Sequence, residues 1–132
     1  MVSEAHQRLL NSLANTWESI GIIVTHIDIA ETPEFFDEKY RGLPRPSERD
    51  GQCPDLEGMK GAMRHLGEAK TSVKDDPGID AQLKAFTSRE MNGREIPLHI
   101  VLPKELKKQL EGKLYKLGLY EKYKKGTIKV WS

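Results

Sequence analysis

The stretch Pro54-Asp55-Leu56-Glu57-Gly58-Met59-Lys60-Gly61-Ala62-Met63-Arg64-His65-Leu66-Gly67-Glu68-Ala69-Lys70-Thr71 decides how this chain is read. Two short runs, Asp55 to Met59 and Arg64 to Thr71, lie either side of a glycine-marked break at Gly58 and Gly61, which predicts a β-hairpin with a tight reversal. Side chains alternate faces along a strand, so Leu66, Glu68 and Lys70 share one face while Gly67, Ala69 and Thr71 share the other. A reversal centred on Gly61-Ala62 places Asp55 opposite Glu68. Two carboxylates held side by side repel, and a divalent cation relieves the repulsion; hard oxygen ligands of this kind favour Mg2+ or Mn2+.

Carboxylates around such an ion, with a lysine beside them, suit phosphodiester hydrolysis. That reaction needs an activated water and stabilisation of the negative charge that builds on the phosphoryl oxygens. Asp55 and Glu68 are the candidate metal ligands. Lys70 has two roles open to it, stabilising the developing charge or positioning and deprotonating the attacking water.

Outward from the hairpin, Ser3 to about Glu18 has helical spacing, with Ala5, Leu9, Leu10, Leu13, Ala14 and Trp17 on one stripe and Ser3 as the cap. Gly21 ends that helix. Ile22, Ile23, Val24, Ile27 and Ile29 are dense and β-branched, the mark of a buried strand. Residues 31–52 then lose periodicity and carry Pro33, Pro44, Pro46, Gly42 and Gly51, a polar excursion placed to border a site. Beyond the hairpin, Asp76-Pro77 opens a helix with Ile79, Leu83 and Phe86 as its stripe, expected to end near Asn92-Gly93. Leu98 to Leu102 reads as a central strand, Pro103 to Gly118 as a helix on Leu106, Leu110, Leu114 and Leu117, and Thr127 to Trp131 as a last strand. The expected class is α/β in the order α-β-β-β-α-β-α-β, a mixed central sheet with helices on both faces.

At 132 residues the chain is expected to be one domain, and a 31% charged, 37% hydrophobic composition fits a soluble globular protein. The net charge of +1 hides a strong polarity. Residues 103–132 hold nine lysines and three glutamates, a net +6, against −5 for the 102 residues before them. Such a segment suits either a phosphate-facing patch or the solvated face of a helix. Cys53 is the only cysteine, which excludes an intramolecular disulfide and a thiolate zinc cluster. The first residues lack a basic-then-apolar leader and no apolar run is long enough to span a bilayer, so no membrane partner and a cytoplasmic location are expected. His26, His65 and His99 show no metal-ligand spacing, Asp75 and Asp76 read as helix caps, and Tyr115, Tyr120 and Tyr123 read as packing.

Pro54-Asp55 with Glu68-Ala69-Lys70 resembles the catalytic motif of the PD-(D/E)XK nuclease superfamily, and the resemblance extends over most of the chain. It implies a restriction-endonuclease-like core with the metal site on the second and third strands. Many members carry a polar residue on the helix after the lysine strand, and Gln82 stands in that place. Many also carry a glutamate on the first helix facing the site. Glu4 is the secondary candidate there; it has the right chemistry but falls nearly opposite the apolar stripe, whereas His6 lies inward. The expected function is a divalent-metal-dependent endonuclease acting on DNA, with RNA as the alternative substrate. The alternatives are a catalytically inactive module for nucleic-acid binding or assembly, and a structure-specific enzyme similar to the Holliday junction resolvases of that superfamily. Specificity in so small a protein would come from DNA shape, a second copy or a partner protein.

Overall fold

A computed structural model describes residues 3–132. The first helix, α1 (Glu4–Ser19), is capped by Ser3, whose Oγ accepts the His6 N–H at 3.1 Å. After β1 (Ile23–Ile27) come two single 3-10 turns, Pro33–Phe35 and Glu38–Tyr40, and then the hairpin β2 (Leu56–Lys60) and β3 (Met63–Ala69). Helix α2 (Pro77–Thr87) starts on the Asp76 cap and Pro77, as its sequence dictates. There follow β4 (Glu90–Met91), β5 (Arg94–Glu95), β6 (Leu98–Val101), α3 (Lys107–Lys116) after a 3-10 turn, α4 (Tyr120–Lys124) and β7 (Ile128–Trp131).

Five strands form one mixed sheet in the order β1-β2-β3-β6-β7. The β1–β2 and β2–β3 pairs are antiparallel, and the β3–β6 and β6–β7 pairs are parallel. Strand alternation divides the core between the two faces. On one, Leu10, Leu13, Ala14 and Trp17 of α1 meet Leu56, Ala69 and Val101; on the other, Leu83, Phe86, Leu110 and Leu114 of α2 and α3 meet Leu66, Leu98, Ile100 and Ile128. Helices therefore cover both faces, as the sequence pattern predicts. Gly58, expected to mark the hairpin break, lies inside β2 instead. A Cβ there would sit 2.7 Å from the Ile23 carbonyl oxygen and 2.9 Å from the Trp17 ring, so only glycine lets α1 settle this close to the hairpin.

Three expectations need correction. Residues 31–52 are not wholly a surface excursion: Phe36 and Tyr40 are buried in the α1 core, and the Tyr40 hydroxyl donates to Asn15 Oδ1 at 2.9 Å. Helix α2 ends at Thr87 rather than near Asn92-Gly93. Asn92 (φ 53°) and Gly93 (φ 76°) instead make the two-residue turn of the small β4–β5 hairpin, because both central positions of such a turn need a left-handed backbone. The last expected helix ends at Gly118 (φ 74°) as its spacing predicts, but it opens with the 3-10 turn Lys104–Leu106, and the short α4 follows before β7. The order α-β-β-β-α-β-α-β thus gains the β4–β5 hairpin and α4, while the sheet keeps the five strands expected of it.

Candidate active site

Because β3, β6 and β7 run parallel and in register, they end together at Ala69, Val101 and Trp131. The antiparallel pairs bring the start of β2 and the end of β1 to the same edge, where Leu56 faces both Gly67 and Ile27. Asp55, Glu68 and Lys70 all lie at this end. The β2–β3 ladder runs from Leu56↔Gly67 to Lys60↔Met63, so the reversal is Gly61-Ala62 and one further step sets Asp55 beside Glu68.

Main-chain and side-chain bonds lock the two carboxylates together. The Asp55 N–H donates to Glu68 Oε1 at 3.0 Å, and the Ala69 N–H donates to Asp55 Oδ2 at 3.0 Å. Each carboxylate thereby commits one oxygen to the protein. Among the described residues Asp55 Oδ1 takes no hydrogen bond, and Glu68 Oε2 faces Lys70 Nζ at 3.5 Å. Glu68 is only 2% exposed. Burial first and the Asp55 carboxylate second push its carboxyl well above the ordinary range, with Lys70 acting in the opposite direction. Lys70 Nζ also donates to Gln82 Oε1, so the first turns of α2 reach back to the end of β3.

The first helix contributes differently from the expectation placed on Glu4. The Glu4 side chain is 58% exposed and pairs with Arg8 Nε at 2.6 Å, one turn along the same helix and away from the sheet. His6 reaches the site instead, its Nε2 lying 3.1 Å from Asp55 Oδ2. Its Nδ1 lies 3.0 Å from Gln7 Oε1, while Gln7 Nε2 donates to the Ile29 carbonyl and to Thr32 Oγ1, both at 2.8 Å. An imidazole that meets acceptors at both nitrogens carries both protons. Accordingly, the hydrogen bond to Asp55 raises the His6 pKa against the opposing effect of burial. Gln7 escaped the sequence reading altogether. Its one signal was a polar residue within the inward arc of α1.

The donor set fits a magnesium- or manganese-sized ion. Two hard carboxylates lie side by side, Asp55 with Oδ1 free of hydrogen bonds among the described residues and Glu68 with Oε2 paired only loosely, at 3.5 Å, to Lys70. Among the described residues no three His, Cys, Asp or Glu side chains form a ready metal cage. A pair of carboxylates completed by water is the arrangement Mg2+ accepts, since it keeps much of its hydration shell.

Elsewhere His65, His99 and Asp76 take the structural roles expected of them, whereas Asp75 pairs with Lys113 at 3.5 Å instead of capping α2 and Tyr115 is largely exposed. His65 and His99 are buried and hydrogen-bonded to each other at 2.9 Å, and Asp76 caps α2 through the Gly78 N–H at 2.7 Å. Tyr120 stacks edge to face on both Tyr115 and Tyr123. Among the described residues no helix is long and apolar enough to cross a membrane. No protein-family model, no curated protein and no solved structure matches the chain.

Proposed function

We propose that this protein is a divalent-metal-dependent nuclease that hydrolyses phosphodiester bonds in DNA. The observation that carries the reading is the meeting of Asp55, Glu68, Lys70 and Gln82 at one end of the sheet, with Asp55 Oδ1 free of hydrogen bonds among the described residues and Glu68 Oε2 turned toward Lys70. Asp55 and Glu68 would hold Mg2+ or Mn2+. When bound there, such an ion activates water and offsets charge on the phosphoryl oxygens. Lys70, held between Glu68 and Gln82, adds a fixed cation beside the carboxylates, where it stabilises the negative charge that builds during cleavage. Gln82 keeps that cation in place.

A polyanionic substrate fits the surroundings. Helix α3 departs from the same end of the sheet, because β6 pairs with β3 up to Val101, and the exposed Lys104, Lys107 and Lys108 follow directly. On the opposite flank, a cavity of about 490 Å³ beside the end of β1 carries Arg41 and Arg45. Phosphates could be drawn to the carboxylates from both sides.

The test is cleavage by the purified chain, with Mg2+ or Mn2+, of single-stranded, duplex and branched DNA and of RNA. Asp55→Ala and Lys70→Ala should each lower the rate on the preferred substrate by at least about a hundredfold. Equal cutting by all three proteins would refute the assignment. Binding without cutting by the wild type would indicate a nucleic-acid-binding module that keeps the fold without turnover.

A further inference from the structure

Asp55 Oδ2 is held from two directions. From β3 the Ala69 N–H reaches it at 3.0 Å, and from α1 the His6 Nε2 reaches it at 3.1 Å. The His6 ring is itself held, since Nδ1 meets Gln7 Oε1 at 3.0 Å. Gln7 is fully buried, a costly place for an amide unless its polar atoms are satisfied. Both of them are. Its nitrogen donates to the Ile29 carbonyl and Thr32 Oγ1, which fixes the amide with its oxygen toward His6. Thr32 Oγ1 closes the group by donating to the same Ile29 carbonyl at 2.8 Å. An apolar side chain would pack at position 7 without these demands. The amide makes sense as a device that orients the ring next to it.

We propose that His6 and Gln7 are positioning residues that clamp Asp55 Oδ2 against the Ala69 N–H and so turn Oδ1 toward the metal ion. The inference rests on the nuclease reading for the ion itself, and adds to it which residues aim the ligand. Outer partners of a metal ligand typically change metal affinity ten- to a hundredfold when removed. His6 acts here through Asp55, so a different side chain that supplies an N–H at the same reach should restore the geometry.

The experiment measures Mn2+ binding to the metal-free full chain by calorimetry and by electron paramagnetic resonance of the free ion. The proteins are wild type, His6→Leu, His6→Ala, His6→Gln, Gln7→Leu and Asp55→Ala. The expected result is binding by wild type, none by Asp55→Ala, a loss of about ten- to a hundredfold in His6→Leu and His6→Ala, and about tenfold in Gln7→Leu. His6→Gln should stay within about threefold of wild type, because its amide replaces the lost donor. The melting midpoint of each variant is measured alongside, and affinities are compared at a temperature where every variant is folded, which separates a local effect from lost folding. Wild-type affinity in His6→Leu, His6→Ala and Gln7→Leu would overturn the proposal and leave the nuclease reading intact. A loss in His6→Gln equal to that in His6→Leu would overturn it in favour of direct coordination by the imidazole. No Mn2+ binding by wild type, or equal binding by Asp55→Ala, would overturn both readings.

Discussion

Glu68 sits almost fully out of water with Asp55 beside it, and its carboxyl is pushed well above the ordinary range by that burial and that neighbour. At neutral pH its ionised form therefore works against the metal-free fold. A neutral side chain of the same shape removes the charge while its oxygen can still accept the Asp55 N–H. Glu68→Gln is thus expected to raise the melting midpoint of the metal-free protein, by about 3 °C or more, and to abolish Mn2+ binding. A lowered midpoint would show that the Lys70 ion pair outweighs the burial of the charge. The same residues show what a sequence can and cannot convey. Period-2 alternation and the glycine-marked reversal were enough to set Asp55 against Glu68. On α1 the helical spacing placed His6 inward while metal chemistry favoured Glu4, and the folded chain follows the spacing. Gln7 was invisible because periodicity ranks apolar residues, and a buried amide in that pattern looks like surface.

At the scale of elements, the sheet and its hairpin were legible because β-branched runs and glycines mark them locally. The β4–β5 hairpin carries the strongest short signal available, Asn92-Gly93, yet with flanking strands of only two residues each the same pair reads as the end of a longer α2. Contacts between distant strands left no local mark. The Trp131 Nε1–H of β7 donates to His99 Nδ1 of β6 at 3.0 Å, which leaves the His99 proton on Nε2, 2.9 Å from His65 Nδ1 of β3. This chain of bonds needs both rings neutral. Burial, then His65 and Lys129, bring the His99 pKa down to about 3, and burial lowers His65 as well. The unfolded chain takes up a proton at His99 below about pH 6.5, and the folded chain does not until about pH 3. Stability from this site is therefore complete above pH 6.5 and falls by about 1.4 kcal/mol per pH unit beneath it. Glu68, with its raised pKa, changes stability in the opposite sense as pH drops. The quantity to measure is accordingly the difference between wild type and His99→Gln in urea melts at pH 6 and pH 5. Wild type should lose about 1.4 kcal/mol more than the variant between the two, and equal losses would exclude the neutral chain.

For the molecule as a whole, the polarised charge was plain from composition, but its partition between structure and surface was not. Lys113 is buried against Asp80 at 2.7 Å, and Lys122 and Lys125 are held by Glu95 at 2.5 and 2.8 Å. These lysines fasten α3 and α4 to α2 and the β4–β5 hairpin. Lys104, Lys107 and Lys108 are different, being exposed and three to seven residues beyond the point where β6 leaves Val101 at the carboxylate end. If nucleic acid reaches Asp55 and Glu68 from that side, each of the three lysines neutralises a phosphate and releases a counterion. The slope of log affinity against log salt then carries about 0.9 per duplex contact. Replacing all three by glutamine should weaken duplex binding and make the slope shallower by about 2 to 3, with the melting midpoint unchanged because the side chains lie in water. Lys113→Gln should do the reverse, lowering the midpoint and leaving the slope as it was, since its charge is already spent on Asp80. Fluorescence anisotropy of labelled duplex between 50 and 200 mM salt measures both. An unchanged slope in the triple variant would place the nucleic acid on another face, leaving the Arg41 and Arg45 flank as the path to the carboxylates.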